Sequence, residues 1–288
     1  MKIKAYAKIN LMLDILGTLP NGYHNLWMIM QSVSLYDTVT VEKNNSEKIT
    51  LTCSKEGIPT NEKNIAYKAA MAFFEKTGIK NCGIHIHIEK AIPSEAGLAG
   101  GSADGAAVIK ALNEIFDAGL TERELCRIGR KVGADVPFCI VGGTCLAQNI
   151  GDVLSPLDDI PKCYFVLAKP KMGVSTKEAF SSFDNASYIR KPKKDKMLIA
   201  AANGDFDEMC KLAANVFEQV IEVPERVEIK KIMRKSKAKL SLMSGSGPTV
   251  YGIFENKSDA ENCAEKLKSI INDVFIATPV PYALEIIE

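Results

Sequence analysis

The sequence predicts an α+β protein built in two halves. Three observations support this. Strand-like alternation and helical periodicity are interleaved along the whole chain. The character of the chain changes at residues 152–161, where Pro156, Asp158, Asp159 and Pro161 read as a connector. A length of 288 residues suits two domains of ordinary size, expected at 1–155 and 156–288 with a cleft between them.

Residues 3–9 and 11–16 are strand-like, and 39–41 and 49–51 alternate at period two. The cluster Gly17-Thr18-Leu19-Pro20-Asn21-Gly22 reads as a turn. Across 61–76, Ile65, Ala69, Ala72, Phe73 and Lys76 recur at helical spacing, and Gly78 suits a C-terminal cap. Residues 82–89 return to strict alternation, with Ile84, Ile86 and Ile88 on one face. His85 and His87 share the other, which reads as a polar strand face rather than a metal pair. A glycine-rich loop leads into helices at 102–116 and 121–131, then a strand at 143–148. Beyond the connector, 163–168 is a strand, and Ser175-Thr176-Lys177-Glu178 fits a capping box opening a helix through Phe183. Helices are expected at 205–221, 224–235 and 258–271, and strands at 239–243, 249–254 and 274–277. The basic run Arg190-Lys191-Pro192-Lys193-Lys194 reads as solvated surface.

Composition excludes several functions. Hydrophobic residues make up 47% and charged residues 25%, as expected of a chain with real cores. A formal net charge of +1 lacks the basic excess that a nucleic-acid or anionic-membrane surface requires. Anion binding must therefore be local. No apolar run is long enough to span a bilayer, and the N-terminus shows no secretory signal, so a cytoplasmic protein is expected. The eight cysteines stand singly with no C-x-x-C pair, and read as reduced thiols.

Four segments carry chemistry. Pro93-Ser94-Glu95-Ala96-Gly97-Leu98-Ala99-Gly100-Gly101-Ser102-Ala103-Asp104 follows a strand and opens a helix. Its glycines let backbone N–H groups converge, and the helix N-terminus adds a positive dipole end, which together make an anion cradle. It is neither a Walker loop nor a dinucleotide fingerprint. Met243-Ser244-Gly245-Ser246-Gly247-Pro248-Thr249 lies between two strand-like runs and reads as a hairpin turn or a place of close backbone approach. Gly133-Ala134-Asp135-Val136-Pro137-Phe138 sets an acid among small and apolar residues. Lys8 shares a strand face with Lys2, Lys4, Tyr6 and Asn10, so charge alone does not single it out.

The opening Ala7-Lys8-Ile9-Asn10-Leu11, the 97–104 loop and the 244–249 loop stand in the order and spacing of the GHMP kinases. The chain resembles that family along essentially its whole length. Gly22-Tyr23-His24 and the 133–138 segment extend the resemblance to the branch whose substrate carries a cytidine diphosphate. The resemblance implies a ribosomal-protein-S5-like N-terminal domain and a ferredoxin-like C-terminal one. It implies ATP-dependent phosphorylation of the 2-hydroxyl of 4-diphosphocytidyl-2-C-methyl-D-erythritol, in the non-mevalonate route to isoprenoid precursors. The enzyme would be a monomer or homodimer.

The residue roles follow from the same resemblance. Asp135 would accept the hydroxyl proton, and Lys8 beside it would keep that carboxylate charged. Phosphoryl transfer needs little more than an in-line nucleophile and neutralised phosphate charge. The triphosphate would lie over Pro93, Ser94, Glu95, Ala96, Gly97, Leu98, Ala99, Gly100, Gly101, Ser102 and Ala103. One lysine cannot screen it, so Mg²⁺ is implied, with Ser102 as its candidate ligand. Asn10, Tyr23, His24, Thr176 and Phe180 would bind substrate. Tyr23 and Phe180 would sandwich cytosine and His24 would read its edge. Two departures stand out. Glu95 puts a carboxylate where the family carries small or apolar residues, and Gly105 replaces a common alanine. Other outcomes remain open at this point: a homoserine- or mevalonate-type kinase, which has no reason to pair two aromatics around a base, or a silent nucleotide-binding module, which has no need of both Lys8 and Asp135.

Overall fold

The computed structural model describes residues 1–44, 46–80 and 82–288. The chain begins with two long strands, β1 (Lys2–Thr18) and β2 (His24–Lys43), joined by the expected turn. β3 (Ile49–Cys53), α1 (Ile65–Thr77), β4 (Ile84–Glu89), α2 (Gly100–Ile115), α3 (Glu122–Val132) and α4 (Val136–Val141) follow. β5 (Thr144–Asn149) and β6 (Val153–Pro156) form a hairpin, and β7 (Tyr164–Lys169) begins a second sheet. Then come α5 (Thr176–Asp184), α6 (Lys194–Ala202), α7 (Phe206–Leu212), β8 (Ala214–Asn215) and a 3₁₀ turn at Val216–Gln219. The chain ends with α8 (Arg226–Lys235), β9 (Leu240–Met243), β10 (Val250–Phe254), α9 (Lys257–Lys268), β11 (Asp273–Ala277) and β12 (Leu284–Ile286).

The larger sheet runs β12-β1-β2-β4-β3, with β5 also on β2 and the short β8 parallel to β1. The smaller sheet, β11-β7-β10-β9, is antiparallel throughout. Although the change of character falls at 152–161, β8 and β12 return from the later part of the chain to flank β1.

Both sides of β1 and β2 are covered. Ile3, Leu13, Ile15, Met28 and Met30 pack with residues of α1 to α4, whereas Ile9, Leu11, Trp27 and Ile29 pack with Phe165, Leu167 and Tyr251 of the second sheet. A strand buried on both faces reads as a continuous apolar run rather than an alternation. That explains two differences from expectation. Residues 3–9 and 11–16 belong to one strand, and β2 extends far beyond 39–41. Register shifts at Tyr6/Ala7 and Asn10/Met12 further blur the period. A third core, with Ile229, Met233, Phe254 and Leu267, lies under α8 and α9.

Other expectations need correction. The helix expected at 205–221 ends at Leu212, because Asn215 turns the chain onto β1 and uses its side chain to hold backbone elsewhere. Ser175 sits at the N-cap of α5 without a capping hydrogen bond. A box forms instead on α3, where the Glu124 carboxylate accepts from Thr121 N–H at 2.9 Å. Periodicity predicts neither α4 nor α6. His85 and His87 bond to Thr50 and Thr52 of β3, as side chains on a polar strand face do.

Candidate active site

β1 carries Lys8 into the middle of the molecule. Lys2 and Lys4 keep 31% and 25% of their side chains exposed and pair with Glu89 and Glu285, but Lys8 keeps only 5%. Its ammonium donates to Asn10 Oδ1 at 2.8 Å and stands 3.7 Å from Asp135 Oδ2. Burial thus separates Lys8 from its neighbours where charge could not. Asn10 is held in turn: its carbonyl accepts from the buried Tyr251 hydroxyl at 3.0 Å, across from β10. Asp135 stands at the N-cap position of the short α4 without a side-chain capping bond, and keeps a third of its side chain open to the cleft. A distance of 3.7 Å leaves the pair ionic rather than tightly hydrogen bonded, with lone pairs free for a third group.

The 93–103 loop passes beside this pair. Glu95, Gly97 and Ala99 have φ of 50°, 73° and 58°, which curls the loop before α2 starts at Gly100. Ala99 offers no side-chain cap, so the first N–H groups of α2 stay available to an anion. The second glycine loop lies directly on the first. Ser244 Oγ donates to Gly97 O at 2.9 Å, and a Cβ on Gly97 would fall 2.2 Å from Ser244 O, so only glycine fits there. A Cβ on Gly245 would stand 3.4 Å from Lys8 Nζ. The loop is the turn of the antiparallel β9–β10 hairpin, and its backbone also closes onto the first loop. Asn215 locks the second loop by donating to Met243 O and Gly245 O, both at 2.7 Å. Sequence reading missed Asn215 because it lies in an apparently helical stretch.

Beneath the first loop lies a group that sequence reading also missed. Lys90 is clamped between Asp37 and Asp104, with at most 5% exposure on any of the three side chains. Asp37 also accepts from Ala91 and Ile92 N–H at 2.6 and 2.8 Å. Asp104 Oδ1 has no hydrogen-bond partner. Burial pushes the Asp104 carboxyl up to about 7 against the opposing pull of Lys90, while Asp37 adds to the rise. Burial would lower Lys90, but the two carboxylates outweigh it and hold it above its ordinary value.

Lys8, Lys90, Asp104, Asp135, Gly245 and Ser246 line one cleft of about 760 Å³ with most of the 93–102 loop and with Tyr23, His24, Thr176 and Phe180. The predicted substrate residue Asn10, by contrast, is buried behind Lys8 and does not line it. Tyr23 is 62% exposed at its mouth. The His24 ring lies flat on Phe180, with centroids 4.3 Å apart and an interplanar angle of 14°, and its Nε2 meets Asp184 Oδ1 at 2.8 Å. Phe180 therefore has one face taken by His24 and meets Phe217 edge-on at 5.1 Å. Thr176 and Ser246 hydroxyls are 3.4 Å apart, joining α5 to the second loop. The Glu95 carboxylate lies against Gly173, where a Cβ would stand 2.2 Å from its Oε2, and Glu95 still lines the cleft. Gly105 has a packing reason, since a Cβ there would meet Ile65 at 2.8 Å where α2 crosses α1.

For a metal, the described residues hold no cluster of three or more His, Cys, Asp or Glu ligands. Ser102 Oγ lies beside the turn bearing Asp135, 3.9 Å from where a Cβ on Gly133 would stand. One hydroxyl and one carboxylate are hard oxygen donors, and suit a Mg²⁺ that keeps phosphate and water ligands. No helix is long and apolar enough to cross a membrane among the described residues.

Two family models match the chain: GHMP kinases N terminal domain over residues 64–143 and GHMP kinases C terminal over 197–273. A 4-diphosphocytidyl-2-C-methyl-D-erythritol kinase of Caldicellulosiruptor bescii is 46% identical over 280 residues, covering 96% of this chain and 98% of its own. One of Clostridium tetani is 42% identical, covering 97% and 100%. A crystal structure of 4-(cytidine 5'-diphospho)-2C-methyl-D-erythritol kinase is 31% identical, with a TM-score of 0.81 over 97% of this chain and 99% of that one. A homoserine kinase from Cytophaga hutchinsonii shares the fold at 19% identity and a TM-score of 0.79, covering 100% and 97%.

Proposed function

The chain belongs to the 4-diphosphocytidyl-2-C-methyl-D-erythritol kinases of the GHMP family, and we propose that Lys8 and Asp135 carry its phosphoryl transfer. It is an ATP-dependent kinase acting in isoprenoid precursor synthesis. The acceptor is the 2-hydroxyl of 4-diphosphocytidyl-2-C-methyl-D-erythritol. The observation that carries the residue assignment is the 3.7 Å Lys8–Asp135 pair, open to the cleft on its Asp135 side and set where both glycine loops meet.

The chemistry follows from that position. Asp135 takes the proton from the acceptor hydroxyl as the oxygen attacks. Lys8 holds the carboxylate and hydroxyl in line, and its Asn10 partner stops the ammonium from swinging away. Backbone N–H groups of 97–102 bind the triphosphate, and the start of α2 adds a favourable dipole. Mg²⁺, when bound near Ser102 and Asp135, supplies neutralisation of phosphate charge. Tyr23, His24 and Phe180 form the base site, with Thr176 beside it. His24 covers one face of Phe180, so a base that stacks on this ring either uses the other face or displaces the imidazole.

A substrate panel tests this reading. ADP release is expected with the cytidyl substrate and not with homoserine or mevalonate. The uridine analogue is expected to react far less efficiently, since a site built for the amino donor leaves polar atoms unpaired against a carbonyl. Equal turnover of bare methylerythritol would remove the base site and leave the kinase assignment standing.

A further inference from the structure

The basic run at 190–194 reads from sequence as solvated surface, yet two of its lysines are fastened to the interior. Asp14 on β1 has a fully buried side chain, and a buried carboxylate is costly unless paired and hydrogen bonded. It accepts from Ile15 N–H at 2.9 Å, from Lys194 Nζ at 2.9 Å and from Lys191 Nζ at 3.4 Å. Lys191 also donates to Ile15 O at 2.6 Å, and its ammonium lies 5.1 Å from the centre of the Phe183 ring.

From Phe183 the contacts continue into the candidate base site. Phe183 meets His24 edge-on at 6.5 Å, and His24 stacks on Phe180. Phe180 meets Phe217, and two residues further on Gln219 grips the same strap from the other side. Gln219 accepts from Arg190 N–H at 2.9 Å and donates to Arg190 O at 3.0 Å. The strap 185–193 between α5 and α6 is therefore tied at two points, one next to Phe183 and one next to Phe217.

We propose that the Asp14–Lys191–Lys194 clasp is a positioning device for base recognition, fixing the strap and the aromatic face of α5 that Phe180, Phe183 and His24 share. This rests on the reading of Tyr23, His24 and Phe180 as the base site. A clasp that merely joined β1 to α6 would need only Lys194. Lys191 instead spends one side chain on three neighbours: a buried carboxylate, a strand carbonyl and the ring that touches His24. Releasing it frees Phe183 to turn and lets α5 shift, which blurs the surface a base must stack on. The clasp sits at the C-terminal end of α5, and the link from α5 to the glycine loops is the long Thr176–Ser246 contact at its other end, so nucleotide binding should change far less than base binding.

The test compares wild type, Lys191→Met, Lys191→Met/Lys194→Met and Lys191→Arg. Cytidine diphosphate is titrated calorimetrically into each, with the nucleotide site filled by a non-hydrolysable ATP analogue. The double variant should bind it about fivefold or more weakly, while Lys191→Arg, which keeps charge and ring contact, should stay within about twofold. In steady-state assays KM for the cytidyl substrate should rise by the same factor, with KM for ATP and kcat changed less than about twofold. If the double variant loses its fold by circular dichroism, Lys191→Met alone carries the comparison, since that side chain is half exposed. Folded variants that bind cytidine diphosphate as wild type does would overturn the clasp and spare the base site. An equal rise in both KM values would mark a purely structural staple and overturn it too. A wild type that fails to bind cytidine diphosphate would overturn the base-site reading, and the clasp with it.

Discussion

Two lysine–aspartate groups flank the glycine loops, and they are built in opposite ways. Lys8 faces one carboxylate at 3.7 Å, and that carboxylate is a third exposed. Lys90 is closed between two carboxylates, and none of the three side chains exceeds 5% exposure. The open pair has unused hydrogen-bonding capacity facing the cleft, which a proton acceptor needs. The sealed triad has spent nearly all of its capacity on protein: Asp37 alone holds two backbone N–H groups and Lys90. On the proposed reading one group reacts, and the other holds β2, the end of β4 and α2 together beneath the first glycine loop.

Breaking the open pair should have the largest effect on rate. Lys8→Met should lower kcat by about 10²–10⁴-fold, the range for losing a positioned acid–base partner, with little change in melting temperature. A variant that melts far below wild type would show that Lys8 is structural like Lys90.

Breaking the sealed triad should act on stability instead. Lys90→Met strands two buried carboxylates and should cost about 3–5 kcal/mol in urea unfolding. An unchanged urea midpoint would show that the triad is dispensable to the fold.

The loop between the two groups can be probed separately. Gly101→Val is cleaner than Gly100→Val, because a Cβ on Gly100 meets Ile92 at 2.9 Å and Lys90 Nζ at 3.2 Å, whereas one on Gly101 meets only Ile65 Cδ1 at 3.3 Å. A branched side chain at Gly101 should raise KM for ATP about tenfold, the loss of one or two charge-assisted bonds. Unaltered nucleotide binding in a folded variant would move the triphosphate elsewhere.

The smallest effect concerns pH. Burial raises the Asp104 carboxyl to about 7 in the folded protein, whereas unfolded aspartate titrates near 4, so the fold retains a proton that the unfolded chain gives up. This contribution to stability is fully present below about pH 4 and is lost as pH rises through about 7. Asp104→Asn carries no such proton. Its urea midpoint should therefore fall less between pH 5 and pH 8 than that of wild type. An equal fall in both proteins would mean that Asp104 stays ionised throughout.

The comparison also marks what sequence could disclose. Lys8, Asp135 and both loops sit in contiguous motifs, but residue type alone does not single out Lys8, and the roles proposed for Lys8 and Asp135 come from the resemblance to the GHMP kinases. The Lys90 triad is assembled from positions 37, 90 and 104, which meet only once β2 pairs with β4 and α2 packs against them. Nothing in local pattern links them. The same holds for Asn215, hidden in a helical-looking stretch, and for Asp14, whose lysine partners are 177 and 180 residues away. Secondary structure was legible where one face is wet, as in β4 and α1, and was lost in β1 and β2, where both faces are dry.

The central claim is that Asp135 takes the hydroxyl proton at the open pair. The direct measurement is kcat of Asp135→Asn at saturating ATP and cytidyl substrate, with the ATP dissociation constant determined in parallel. The expected result is a fall in kcat of about 10²–10⁴-fold with ATP affinity within about twofold of wild type. A variant that keeps more than about a tenth of wild-type kcat would contradict it, because a positioned base contributes far more than that.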